Sequence, residues 1–202
     1  MTATKSDIMT FPNVASWTFG EAREVTGGLR SFPIANGGIS IQLLDCLAPF
    51  DTSSLREGSR RSLTLRLPHV WDAAFGDMEA ALVTHVAHDS TTFFQTHMSE
   101  GGVTDGYKAI SIKKHEYPRN VRTKINASGP YAVRYWDMNR AVAEPPHDHA
   151  GTRFNAVLRI RALWTGTDNA SGLVVDATDL QILESPSMDC PFTADSGLAA
   201  EA

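Results

Sequence analysis

The run from Arg153 to Trp164 (Arg-Phe-Asn-Ala-Val-Leu-Arg-Ile-Arg-Ala-Leu-Trp) constrains the fold of this chain more than any other segment. Successive side chains of a strand point to opposite faces. That puts Phe154, Ala156, Leu158, Ile160, Ala162 and Trp164 on one side and Arg153, Asn155, Val157, Arg159, Arg161 and Leu163 on the other. A period of two with one apolar side predicts a long strand laid over a core, its second face open and rich in arginine. Arginines two apart on a strand repel one another unless an anion lies across them.

Shorter runs follow the same pattern. Gly38 to Asp45 and Ser62 to Leu67 read as strands, the second ended by Pro68, and so do Tyr107 to Lys114, Asn120 to Asn126, Tyr131 to Asp137 and Leu173 to Leu183. In Asn120 to Asn126, Arg122 and Lys124 oppose Val121, Thr123 and Ile125. In Tyr131 to Trp136, Arg134 and Trp136 oppose Tyr131, Val133 and Tyr135. Phe75, Met78, Leu82, Val86 and Phe93 recur at helical spacing and predict one long helix over residues 70–97, stopped before Gly101-Gly102, with a turn at Thr104-Asp-Gly106. Residues 1–37 show little periodicity, and Gly27-Gly28 and Gly37-Gly38 mark turns there. Seven strands and one helix predict a mainly β fold, an antiparallel sheet closed as a small barrel. Residues 1–185 would form this domain and residues 186–202 a disordered acidic tail.

Charge is unevenly spread. Residues 108–161 hold 11 Lys/Arg against 4 Asp/Glu, whereas residues 162–202 hold no Lys or Arg and 7 acids. A basic middle of this kind suits a polyanion, although solvated strand faces paired with local acids have the same composition. If the strands pair, one sheet face carries Arg122, Lys124, Arg134, Trp136, Arg159 and Arg161, with Arg153, Lys113, Lys114 and Arg119 nearby. Cations interleaved with aromatic rings suit a single-stranded nucleic acid: phosphates meet the cations and bases stack on the rings.

The order of segments, from Ser62-Leu-Thr-Leu-Arg-Leu67 through the helix to Tyr107-Lys-Ala-Ile-Ser-Ile-Lys-Lys114, Tyr117 to Ile125, Phe154 to Trp164 and Gly172 to Leu183, resembles the single-stranded DNA-binding proteins of large DNA viruses and phages. The resemblance covers roughly residues 38–184. It implies an OB-like barrel, binding of single-stranded DNA (with RNA as a second candidate) without catalysis or cofactor, and a role in replication, recombination or repair. Separately, the acidic end is expected to compete for the basic groove and recruit replication proteins, homo-oligomers are expected, and the lack of an 18-residue apolar run and of a signal-peptide pattern predicts no membrane span and a place inside the host cell.

Other chemistries are poorly supplied. No run of 18 apolar residues exists, and no Gly-x-Gly-x-x-Gly or Gly-x-x-x-x-Gly-Lys-Ser/Thr loop occurs. His147 and His149, in Pro146-His-Asp-His149, offer two corners of a cupin-like metal site, but no His follows and the next acid is Asp168. His85 and His88 with Asp89 form a second, weaker metal candidate on the helix. Cys46 reads as core, and the apolar helix face is the site an adaptor protein would use for a partner.

Overall fold

The computed structural model describes residues 11, 13–54, 60–129 and 131–185. In chain order the strands and helices are β1 (Arg23–Val25), β2 (Leu29–Pro33), β3 (Ile39–Leu47), β4 (Ser53–Ser54), β5 (Arg60–Arg66), α1 (Asp72–His88), α2 (Ser90–Phe94), α3 (Glu100–Gly106), β6 (Tyr107–Lys108), β7 (Ser111–Ile112), β8 (Asn120–Asn126), β9 (Arg134–Trp136), β10 (Arg153–Thr165) and β11 (Ser171–Glu184).

Five of these strands close on themselves. β3 pairs β5, β5 pairs β8, β8 pairs β11, β11 pairs β10, and β10 returns to β3. Taken in chain order the ring runs first, second, third, fifth, fourth and back to first, the Greek-key closure of an OB barrel. The sheet is mixed rather than wholly antiparallel: β11 runs parallel to β6, β8 and β9. Each ring strand sends alternate side chains inward. Leu43, Leu63, Leu65, Val121, Phe154, Leu158, Ile160 and Leu180 are all at or below 1 % exposure. Each of these contributes about 1.5–3 kcal/mol through burial.

Bulges decide what the outer face shows. At Leu44–Asp45 two residues of β3 oppose one of β10, and Asp45 takes φ 56, so both side chains turn outward. In β10 the register shifts between Ile160 and Ala162. The alternation inverts there, which buries Leu163 and leaves Trp164 half-buried, the reverse of the simple period-two expectation.

The helical region is three helices, not one. Phe75, Met78, Leu82 and Val86 do share the buried face of α1. The helix ends at Asp89, whose φ/ψ of −115/36 is not helical. The Asp89 carboxylate accepts from the Thr92 hydroxyl at 2.8 Å, and the Ser90 hydroxyl accepts from the Met98 amide at 3.0 Å, folding the chain back. Gly101, Gly102 and Thr104-Asp-Gly106 lie inside α3, not in turns. Ser99 caps that helix by accepting from the Gly102 amide at 3.2 Å. The N-terminal region supplies a hairpin, β1–β2, turning at Gly27 and Gly28 with positive φ. Through Phe32, β2 meets Phe93 edge to face at 5.0 Å, which docks the helices on the barrel. The expected strand over Tyr107 to Lys114 is two short pieces, β6 and β7. Among the described residues no helix is long and apolar enough to cross a membrane. The expected tail, 186–202, lies outside the described residues.

Candidate nucleic-acid interface

The period-two strands deliver their cations where the pattern placed them. On β8, Arg122 and Lys124 point outward while Val121, Thr123 and Ile125 are buried. On β10, Arg153, Arg159 and Arg161 alternate with buried residues, and on β9, Arg134 and Trp136 flank the buried Tyr135. Because β11 lies between β8/β9 on one side and β10 on the other, Arg122, Lys124, Arg134, Trp136, Arg159 and Arg161 share one continuous outer surface.

What that surface also carries is the acid of β11. Asp176 is the cross-strand neighbour of both Lys124 and Arg159, and its carboxylate accepts from Arg161 at the β10 bulge. Asp179 accepts from Arg134 at 2.7 Å and from the Trp136 indole N–H at 3.0 Å. Burial pushes the Asp179 carboxyl upward, but the hydrogen bonds from Arg134, Trp136 and Thr178 outweigh it and hold the group below the usual carboxylate range. Arg153 donates to Asp45 at 2.8 Å through Nε. Aromatic rings complete two of these pairs: Arg161 lies 4.8 Å over Tyr131 and Arg134 5.6 Å over Trp136.

Lys113 and Arg119 are engaged away from the outer face. Lys113 is paired with Asp72. Arg119 is 14 % exposed, donates to the Ser111 hydroxyl at 2.7 Å and lies 3.9 Å from Glu79. Glu79 itself, buried on α1, accepts from the amides of Ile110 at 2.8 Å and Ser111 at 3.3 Å. These contacts fasten the helix to the β6–β7 connection. Lys114 is exposed in the β7–β8 loop.

The cations that keep their charge to themselves lie elsewhere. Arg66, which the pattern did not single out, faces outward on β5 because Leu63, Leu65 and Leu67 face inward. Register places Arg66 opposite Asn120 and Thr64 opposite Arg122, so Arg66 and Arg122 are diagonal neighbours across the pair. Neither forms an ion pair among the described residues. Near them the β7–β8 loop presents Tyr117, 71 % exposed, beside Lys114. The sequence signal for this pair was the alternation of Ser62 to Leu67, whose polar face carries Arg66. Arg159 also lacks an ion pair among the described residues, and its buried Nε has no partner.

The metal alternatives lose their ligands to other work. His149 is buried and His147 is exposed. The Nε2 of His149 lies 2.8 Å from the Tyr135 hydroxyl and its Nδ1 3.4 Å from Asp51, so both ring nitrogens are occupied. His85 packs against Phe19 at 5.7 Å. No cluster of three metal-ligating side chains occurs among the described residues. Cys46 is fully buried, and burial pushes its thiol up to about 12.

Comparison with solved structures places this barrel in known company. The chain is similar to gp2.5, a single-stranded DNA-binding protein encoded by bacteriophage T7, with a TM-score of 0.50 at 10% identity, covering 81% of this chain and 100% of that one. It also matches the single-stranded DNA-binding protein from bacteriophage Enc34, at a TM-score of 0.48 and 11% identity over 89% of this chain and 96% of that one. The same phage protein in complex with ssDNA gives 0.44 and 12% over 84% and 97%. The likeness to the T7 protein establishes a shared fold. No family profile and no curated protein matches the chain.

Proposed function

We propose that this protein binds single-stranded DNA without sequence specificity, in support of replication, recombination or repair, and performs no catalysis. The observation that carries the reading is the Arg66–Arg122 pair. Two arginines, diagonal neighbours that form no ion pair among the described residues, sit on the second and third strands of an OB ring, the strand pair whose outer face takes oligonucleotides in barrels of this type. Phosphates relieve the repulsion between them and release counterions from the DNA. Tyr117 and Lys114 extend this face at the β7–β8 loop. Arg159 and Lys124 lead onto the neighbouring surface of β10 and β11, where the exposed Arg134 exchanges Asp179 for phosphate while Arg161 stays on the buried Asp176.

The fold shared with the T7 protein supports the same reading, since that protein binds single-stranded DNA. The acidic segment after β11 is part of the proposal as a competitor for the cationic face and a recruiter of replication proteins. Fluorescence-anisotropy titration with single- and double-stranded oligonucleotides at two salt concentrations tests the whole. Single strands are expected to bind more tightly, and the log–log salt slope is expected to lose about 0.7 for each phosphate contact removed. Arg66→Ala with Arg122→Ala then flattens the slope by about 1.4 if both contact phosphate. A slope unmoved by the double variant overturns the assignment of this face.

A further inference from the structure

A groove of about 530 Å³ opens where β3, β10, β11 and the turn after β9 meet. Its floor is a polar layer that is already satisfied. Asn155 donates to Gln181 at 2.9 Å and accepts from the Asp45 amide at 3.1 Å, and Gln181 donates to the Asp137 carbonyl at 3.1 Å. Its walls are apolar: Leu44, turned outward by the β3 bulge to 50 % exposure, and the Trp136 indole. The indole cannot turn, because its N–H is held by Asp179 and Arg134 lies over the ring. Two groups at the rim have no partner among the described residues, the Gln42 amide and the Arg140 guanidinium. Arg140 is held at φ 64 in a tight turn that the Asp137 carboxylate closes by accepting from the Ala141 amide at 2.8 Å.

We propose that this groove seats one nucleotide of a bound strand, with the base between Trp136 and Leu44, its edge on the Gln42 amide and its phosphate on Arg140. The inference rests on the reading of the protein as a single-strand binder and adds to it a base-contacting subsite distinct from the phosphate-binding face. An apolar slot with one free amide and one free guanidinium matches a planar heterocycle that carries donors and acceptors on its rim and an anion on its sugar. A primary amide offers a donor and an acceptor side by side, and every base has an edge that answers them, so the seat accepts all four bases. The fixed floor and the pinned indole keep the seat formed before the strand arrives, which lowers the ordering cost of binding.

The test compares an oligothymidine with an abasic oligomer of the same length and phosphate count. The wild-type protein is expected to bind oligothymidine about 5- to 150-fold more tightly, the range that one stacked base supplies. Gln42→Ala combined with Trp136→Ala is expected to remove that preference while leaving the salt slope as it was. Leu44→Glu disturbs no hydrogen bond of the floor and puts a carboxylate in the slot. It is expected to have the same effect, and it keeps the test decisive if the Trp136 variant does not fold. Equal wild-type affinity for both oligomers, or a base preference that survives Leu44→Glu, overturns the groove assignment and leaves phosphate binding at Arg66 and Arg122 standing. A wild-type protein that binds neither oligomer overturns both.

Discussion

The Arg134 guanidinium donates to the Asp179 carboxylate at 2.7 Å, across the parallel pairing of β9 with β11. Asp179 therefore occupies the place a phosphate oxygen would take beside Arg134, whereas the Asp176 carboxylate that holds Arg161 is buried and keeps its partner. The basic outer face is in this way partly filled by its own anions. Asp179→Asn keeps an acceptor for the Trp136 indole but removes the charge. Single-strand affinity at low salt is expected to rise, and the log–log slope to steepen by up to about 0.7 as Arg134 becomes available to phosphate. Because Arg134 is 65% exposed, the pair adds little to stability and the thermal midpoint should move little. A loss of affinity in the variant would sink the idea that Asp179 competes with the ligand.

His149 makes the fold sensitive to mild acid. Burial lowers its pKa below 6.5, against the opposing pull of Asp51 and Asp148, with Arg61 adding to the lowering. The unfolded chain binds a proton at this site from about pH 6.5 downward, and the folded chain only at lower pH. Stability is therefore full above pH 6.5 and falls as the pH drops toward the folded value. Asp51, Asp72 and Asp179 behave differently. Their carboxyls are held below 3.8, so their contribution is present above that pH and is lost as the pH falls through their folded values. Urea midpoints measured from pH 7.5 to 3 should show two declines, and His149→Gln should abolish the first while leaving the second.

The two strands with a strict apolar period, β8 and β10, were legible because burial of one face is a local property of the sequence. Val121, Thr123 and Ile125, like Leu158 and Ile160, are buried where alternation put them. The hairpin at Arg23–Val25 was not legible, since all of β1 is exposed and has no alternation to display. Nor was the break at Asp89, where the Thr92 hydroxyl donates to the Asp89 carboxylate and the Ser90 hydroxyl accepts from the Met98 amide, in competition with helix propagation, while the apolar spacing runs on to Phe93. The cations of the outer face could be read from β8, β9 and β10, but their neutralisation could not. Asp176 lies opposite Arg159 and Lys124 only because of a register fixed over long sequence separations and shifted by bulges. Arg66 stood in a strand whose alternation was recognised, yet that its partner in register is Asn120 and not an acid emerges only once β5 is paired with β8.

Glu79 is expected to be the most sensitive polar position in the core. Its carboxylate accepts from the Ile110 and Ser111 amides and from the Ser111 hydroxyl, and it faces Arg119 at 3.9 Å. Glu79→Ala leaves these donors unanswered and a largely buried guanidinium without its carboxylate. The loss should be about 3–5 kcal/mol by chemical denaturation. Arg119→Ala should destabilise the fold too, yet leave the salt slope of DNA binding unchanged, because Arg119 serves the helix–sheet junction. A flattened slope in that variant would return Arg119 to the phosphate-binding set.

The acidic segment that follows β11 provides the last prediction. Glu184 ends the strand opposite Arg153, and residues 186–202 carry Asp189, Asp195 and Glu201 with no Lys or Arg. The described residues therefore end at the edge of the cationic face, and under the proposed competition the three carboxylates that follow add to the anion concentration near Arg134, Arg140 and Arg159. Deleting residues 186–202 is expected to strengthen single-strand binding. The gain should be largest at low salt, because screening over about 10 Å at 0.1 M already weakens the competition. It should also be smaller than the effect of Arg66→Ala with Arg122→Ala, since the double variant removes two phosphate contacts outright whereas the three acids only compete with the DNA for such contacts. Replacing Asp189, Asp195 and Glu201 with Asn, Asn and Gln in the full-length chain should reproduce the gain and separates charge from chain length. If neither change strengthens binding at any salt, the segment does not compete for the face. If only the deletion does, its length rather than its charge obstructs the strand.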